Sequence, residues 1–236
     1  MKAFVDLHCH TSASFDSLAS PEAVVKAAAE RGLSYLAITD HDVIDGAMRA
    51  RDAAPHGLTV IIGEEIRTAD GDLVALFLDR AVPPGLPAAD TVAAVREQGG
   101  VLGIPHPFDR FRGSMLNDPR LEATAAQVDW IEAYNARVVG GTGNARAAAF
   151  ARDMHLPGIA VSDAHSVLEV GVAYTIVDGD PSTPEGLLAA LTNVELVPGR
   201  ASYIVRTLTP LAKLVNRARG KRRVPPTSTG PAGMPQ

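Results

Sequence analysis

Short apolar runs alternate with alanine-rich amphipathic stretches along most of the chain. The runs Ala3–Cys9, Tyr35–Thr39, Thr59–Gly63, Val101–Pro105, Asp129–Tyr134, Gly158–Val161 and Val172–Val177 predict strands. Leu73–Leu78 predicts an added hairpin partner for the third. Helical spacing marks Pro21–Arg31, Val43–Ala53, Ala88–Gln98, Ala145–Asp153, Pro184–Leu191 and Pro210–Arg217. Ser20-Pro21-Glu22 and Thr183-Pro184-Glu185 have the form of helix starts, with a hydroxyl cap and proline in the first turn. Arg31-Gly32 and Gln98-Gly99-Gly100 have the form of helix ends. Strand and helix in alternation predict an α/β fold with a parallel sheet covered by helices. Consecutive apolar positions within the strands predict burial on both faces.

The polar residues with chemistry collect where these strands end. His8, His10 and Asp16 follow the first, Asp40 and His41 the second, and Glu64 and Glu65 the third. His106 follows the fourth, Glu132, Asn135 and Arg137 belong to the end of the fifth, and Asp163 and His165 follow the sixth. Five of the seven histidines therefore sit at strand C-termini. In a closed parallel barrel those ends share one rim, so residues distant in sequence converge. His8 and His10 are two apart on an extended segment and share a face, which turns Cys9 toward the helices as a buried thiol. Imidazoles mixed with carboxylates are the ligand set of Zn²⁺, Mn²⁺ or Fe²⁺. His56 and His155 follow helices and are left out of the site.

Composition narrows the setting. The chain has 236 residues, 46% of them hydrophobic, which suits one core better than two. No apolar run is long enough to span a membrane, and the N-terminus runs into the first strand without a signal-peptide core. The single cysteine excludes an internal disulfide, and a cytoplasmic protein is expected. The net charge is −5, but the segment from Leu211 to Gln236 has six cations and no acid; subtracting these six leaves −11 on the body. An acidic body argues against a nucleic-acid surface, except for a nucleotide as a small ligand. The expected organisation is a barrel over residues 1–217 and a basic, Pro/Gly-rich flexible tail over 218–236. The sequence leaves the oligomeric state open.

"DLHCHTSASFDS", "TDHD", "GEEI", "PHP" and "SDAH", in this order, resemble the PHP family, named for polymerase and histidinol phosphatase domains. The resemblance runs from Val5 to about Val177. It implies a distorted, TIM-like (β/α)7 barrel with two or three Zn, Mn or Fe ions at the C-terminal ends of the strands. It also implies a metal-dependent phosphoesterase. By the same resemblance His8 and His10 bind a first metal with Glu65 and Asp163. Glu65 bridges to a second metal that takes His106, and Asp16, His41 and His165 form a third site. Asn135 stands nearest to where many members place a further histidine, and its carboxamide oxygen is the remaining candidate ligand. Asp40, beside His41, is read as a carboxylate that orients imidazoles. Glu64 alternates with Glu65 and is expected to face away, as a surface or salt-bridge residue. Only 40 residues separate Glu65 from His106, so an insertion typical of one nucleotide-phosphatase branch is missing and a more open pocket is expected.

The expected reaction is hydrolysis of a phosphate monoester of a small metabolite or nucleotide. A hydroxide bridging two metals is the expected nucleophile, and fixed cations would neutralise the phosphoryl oxygens. Arg110, Arg112 and Arg137 are the candidate cations, each with a rim salt bridge as the alternative. The "VVGGTGN" loop, residues 138–144, is read as an ordinary turn with Asn144 as helix cap. Three other readings stand beside this one. An amidohydrolase-type barrel also begins with H-x-H, but often bridges its metals with a lysine, and Lys2, Lys26, Lys213 and Lys221 all lie away from a mid-barrel strand end. A phosphodiesterase or nuclease of the same family would share the ligands, as would a non-catalytic metal-binding module.

Overall fold

The sheet of this fold mixes parallel and antiparallel neighbours. The computed structural model describes residues 1–109, 120–202 and 208–223. The elements run β1 (Lys2–Asp6), α1 (Pro21–Glu30), β2 (Tyr35–Ile38), α2 (Asp45–Asp52), β3 (Thr59–Arg67), β4 (Asp72–Leu76), α3 (Ala88–Glu97) and β5 (Val101–Ile104). There follow α4 (Arg120–Ala125), β6 (Trp130–Asn135), α5 (Thr142–Asp153), β7 (Gly158–Val161), β8 (Tyr174–Asp178), α6 (Pro184–Ala190), β9 (Val194–Val197) and α7 (Leu208–Ala218). Among the described residues nine strands form one sheet in the order β7-β6-β5-β4-β3-β2-β1-β8-β9. The neighbours β1–β2, β2–β3, β5–β6 and β6–β7, each joined through a helix, pair in parallel. β3–β4 is the expected antiparallel hairpin, and β4–β5 is antiparallel too. Six strands, β1, β2, β3, β5, β6 and β7, thus point the same way and bring their C-terminal ends to one rim.

The run at Val172–Val177, expected as a seventh parallel strand, forms β8 and pairs antiparallel to β1. The residues between β7 and β8 contain no helix in the described structure, so the chain returns down the sheet instead of crossing over it. β9 then extends β8 as an antiparallel edge. Closure occurs at the rim. Beyond β7 the Asp163 N–H donates to His8 O at 2.9 Å, and the His10 N–H donates to Ala164 O at 2.8 Å. Thr175 of β8 adds two 2.9 Å side-chain bonds to the backbone of Ala160 in β7.

The interior draws on every strand from β1 to β8: Val5, Ala37, Ile61, Val74, Leu76, Val101, Trp130, Ile159 and Val177 pack in one buried cluster, with Leu187 and Leu191 of the α6 region. Trp130 sits against Gly103, where a Cβ would meet its Nε1 at 1.9 Å. Cys9 faces outward as expected, in a separate cluster with Val24, Ala28 and Leu36. Ser20 and Thr183 cap α1 and α6 by accepting from Ala23 N–H and Gly186 N–H, with proline in each first turn. α5 begins at Thr142 with Gly141 as its cap residue, so Asn144 is not the cap. Residues 219–223, expected in the tail, contact the barrel: Lys221 Nζ donates to Ser12 O at 2.6 Å and Arg223 pairs with Asp72 at 2.5 Å. Residues 224–236 lie outside the described structure. No helix of the described residues is long and apolar enough to cross a membrane.

Candidate metal centre

Four side chains from three strand ends meet below the rim. His8 Nε2 and His10 Nε2 are 3.0 Å apart. Each lies 3.3 Å from Glu65 Oε2, and Asp163 Oδ1 is 3.7 and 3.5 Å from them. Donor atoms held at about 2.0–2.1 Å around one tetrahedral cation stand roughly 3.3–3.4 Å from each other. The observed separations scatter around that edge length. All four residues are buried.

The donors converge with their lone pairs inward. His8 Nδ1 donates to Glu132 Oε1 at 2.5 Å, which leaves Nε2 as the lone-pair nitrogen. His165 Nδ1 donates to the Asp163 carbonyl at 2.9 Å, with the same consequence for its Nε2. Burial pushes the pKa of His8 down, but the charges of Glu132, Asp163 and Glu65 outweigh it and hold it well above the usual range. His10 behaves alike: burial opposes its charge, yet bonds to Asp163 and Glu65 push it up to about 9. The polypeptide alone meets this concentration of carboxylate by binding protons, and a divalent cation would meet it with the same atoms as ligands. The donor set therefore fits a divalent transition metal.

A second group adjoins the first. Asp16 Oδ2 lies 3.4 Å from His41 Nε2 and 3.2 Å from His165 Nε2. His10 is near enough to belong to this group as well. Burial and then the positive charge of Arg137 push His165 down to about 3, so its imidazole is neutral, the form that can ligate. Glu65 joins the groups. Oε2 faces His8, His10 and, at 3.2 Å, His41 Nδ1, while Oε1 faces His106 Nε2 at 3.2 Å. Its neighbours His41 and His8 outweigh burial and hold its carboxyl well below the usual range. His106 and Asp163 adopt positive φ, 28° and 52°, a strained backbone at the points where the chain must turn these side chains inward.

Other expected residues take different parts. Asp40 accepts no hydrogen bond from an imidazole of the described residues; it accepts from Thr11 N–H and Thr11 Oγ1, both at 2.6 Å, and from Ser14 N–H at 3.2 Å. It fastens the loop that carries Asp16. Asn135 does not offer its oxygen to the site. Oδ1 accepts from Arg137 N–H at 2.9 Å, and Nδ2 donates to Glu132 Oε2 and Asp163 Oδ2, both at 2.9 Å. Exchanging the two atoms would set an oxygen against two carboxylates and an NH₂ against an N–H, so the network fixes the orientation. Arg137 pairs with buried Glu169 at 2.5 Å and donates to Thr209 Oγ1 at 2.8 Å, the salt-bridge alternative. Arg110 and Arg112 lie outside the described residues. Glu64 faces away from the cluster but is buried, not on the surface. Burial pushes it up to about 8, and Oε2 accepts from Val82 N–H at 2.8 Å. His56 and His155 are exposed and apart from the site.

Of two further buried acids, Glu132 was placed by the sequence at the end of the fifth strand but given no role, and Glu169 was not named. Glu132 accepts from His8 Nδ1, from His106 N–H at 2.9 Å and from Asn135, so it ties three strand ends of the cluster together. Its signal was an acid inside the apolar run Asp129–Tyr134. Glu169 accepts from His165 N–H at 3.1 Å and Ser166 Oγ at 2.9 Å besides binding Arg137.

Comparison with known proteins bears on this geometry. The PHP domain profile matches residues 6–81 and the PHP-associated profile residues 141–195. An uncharacterised protein of Methanocaldococcus jannaschii is 33% identical over 150 residues, covering 58% of this chain and 82% of that protein. A 5'-3' exoribonuclease of Haemophilus influenzae is 36% identical over 117 residues, 44% of this chain and 42% of the relative. A two-domain protein from Bacteroides vulgatus containing a predicted PHP-like metal-dependent phosphoesterase superposes with a TM-score of 0.67 at 22% identity. That superposition covers 84% of this chain and 65% of the other.

Proposed function

The chain belongs to the PHP-domain family of metal-dependent phosphoesterases, and we propose that it hydrolyses the phosphate monoester of a small metabolite or nucleotide. The observation that carries this reading is the four-atom cage of His8, His10, Glu65 and Asp163, joined through Glu65 to His41 and His106. His8, His10, Glu65 and Asp163 would hold one ion, Glu65 and His106 would take part in a second, and Asp16, His41 and His165 would hold a third. Such ions supply Lewis-acid activation of water and of the phosphoryl oxygens. The protein's own residues set the stage. Glu132 and the Asp163 carbonyl fix the tautomers of His8 and His165. Asn135 holds the Glu132 and Asp163 carboxylates in register by donating to both, and Asp40 fixes the loop that bears Asp16. The acidic body and α7 lying along one side of the rim support a small substrate over a polymer.

A second reading, hydrolysis of a phosphodiester in nucleic acid, rests on the relative named as a 5'-3' exoribonuclease, although this chain spans 42% of that protein's length. A panel of nucleoside monophosphates, sugar phosphates and single-stranded oligonucleotides, run with Mn²⁺ and with Zn²⁺, separates the two. The expected result is phosphate release from monoesters, abolished in His8→Ala that keeps its circular dichroism spectrum. Cleavage of oligonucleotides with no release from monoesters would replace the first reading by the second. Bound metal with no hydrolysis of either class would leave a non-catalytic module.

A further inference from the structure

Phosphoryl transfer needs a fixed cation beside the metals, and Arg137 is committed to Glu169 and Thr209. A different cation stands at the rim, on a helix outside the barrel. Resting on the phosphoesterase reading above, we infer that α7 is part of the substrate site and that its Lys213 binds the phosphoryl group.

The helix is seated for this role from several sides. Thr209, in its first turn, accepts from Arg137 Nη2 at 2.8 Å. Asn216 is buried, and its Nδ2 faces the backbone carbonyls of Ser14, Phe15 and Ser17 at 3.3, 3.1 and 2.9 Å. One amide group thus clasps the loop that presents Asp16. Beyond the helix, Lys221 and Arg223 hold Ser12 and Asp72 on the barrel. This seating aims Lys213 across the Phe15 ring, 5.3 Å from its centroid, and brings Nζ to 4.0 Å from Asp16 Oδ2. Phe15 in turn packs on His41, with ring centroids 4.9 Å apart.

The contact with Asp16 is too long for a hydrogen bond, and the Lys213 side chain is 52% exposed. Its ammonium lies over the Phe15 ring at the solvent-facing edge of the cluster. Once Asp16 shares its charge with a cation, Lys213 has less to neutralise on the protein side and more to offer an incoming anion. An ammonium has three donors and suits phosphate as a point charge.

The test uses the full chain loaded with Mn²⁺, as wild type, Lys213→Gln and Lys213→Arg. Three quantities are measured: bound metal, the Kd of inorganic phosphate by calorimetry, and KM and kcat for p-nitrophenyl phosphate. Lys213→Gln should keep its metal and weaken phosphate about tenfold, with a matching rise in KM, as expected for loss of one charge-assisted contact. Lys213→Arg should recover most of the loss. An unchanged phosphate Kd in Lys213→Gln, or a wild type that binds no phosphate, overturns the inference. So does loss of metal in Lys213→Gln, which would make the lysine a support for Asp16. If no ester is hydrolysed but phosphate binding still depends on Lys213, the enzymatic reading fails and this inference stands. If esters are hydrolysed and Lys213→Gln changes neither Kd nor KM, the reverse holds.

Discussion

Glu132→Gln removes one charge and almost no volume, and its effect can be worked from the bonds that Glu132 accepts. Oε1 accepts from His8 Nδ1 at 2.5 Å, while Oε2 accepts from His106 N–H and Asn135 Nδ2, both at 2.9 Å. Glutamine has one acceptor oxygen and one NH₂ group, so it can serve only one of these sides. With its oxygen toward His8, its NH₂ would confront two buried donors, at roughly 1–3 kcal/mol for each group left unsatisfied. With its oxygen toward His106 and Asn135, both bonds survive and the NH₂ faces His8 Nδ1. The second arrangement wins. His8 must then accept at Nδ1 and carry its proton on Nε2, the atom that stands 3.0 Å from His10 Nε2 in the cage. The cluster loses one lone pair without losing a ligand residue. Replacing a residue that orients a ligand histidine typically weakens metal binding about 10–100-fold, or roughly 1.4–2.7 kcal/mol. Competition for Zn²⁺ against a chromophoric chelator measures this directly, with circular dichroism to confirm the fold. Equal Zn²⁺ affinity in wild type and Glu132→Gln would refute the argument that Glu132 sets the His8 tautomer.

Glu65→Gln should lose at least one metal equivalent and most of kcat, whereas Glu64→Gln should keep both. Burial raises Glu64 to about 8, so near pH 7 its carboxyl is neutral and glutamine copies it; metal analysis and initial rates of the two variants decide the point, and sensitivity at Glu64 alone would reverse the assignment. Gly46→Ala would set a Cβ 2.0 Å from Asp40 Oδ2 and 2.4 Å from Thr11 Oγ1, both in buried residues. The expected cost is about 1–3 kcal/mol in urea denaturation together with weaker metal binding, because the displaced Asp40 anchors the Asp16 loop; wild-type stability in this variant would show that α2 can shift freely.

The cluster was legible because most of its members follow an apolar run, and a parallel barrel turns that linear position into proximity. His8, His10, His41, Glu65, His106, Asp163 and His165 all stand out in this way. Glu132 was less visible as a partner of His8 because it lies inside a strand, and pairing across the barrel is not written in local spacing. Alternation correctly turned Glu64 away from the site, but it carries no information on whether the opposite face is covered; the chain at Val82 covers it. Asn135 offered a residue type compatible with ligation, and its bonds to Arg137 N–H, Glu132 and Asp163 reveal which end of the amide faces the carboxylates. The direction of β8 depends on a connection without a helix, which the apolar pattern of the strand itself does not encode. The periodicity marked α7 as a helix. Its place on the rim comes from Asn216 and Arg137, whose partners are far away in sequence.

The most direct test of a metal-dependent phosphoesterase is a chelator titration of the purified protein in which metal content and p-nitrophenyl phosphate hydrolysis are followed in the same samples. In the proposed arrangement the second ion has only Glu65 and His106 among the described residues, so that ion should leave first. Hydrolysis should fall as metal is removed and return when Mn²⁺ or Zn²⁺ is added back. Undiminished hydrolysis by protein shown to be free of metal would contradict the account.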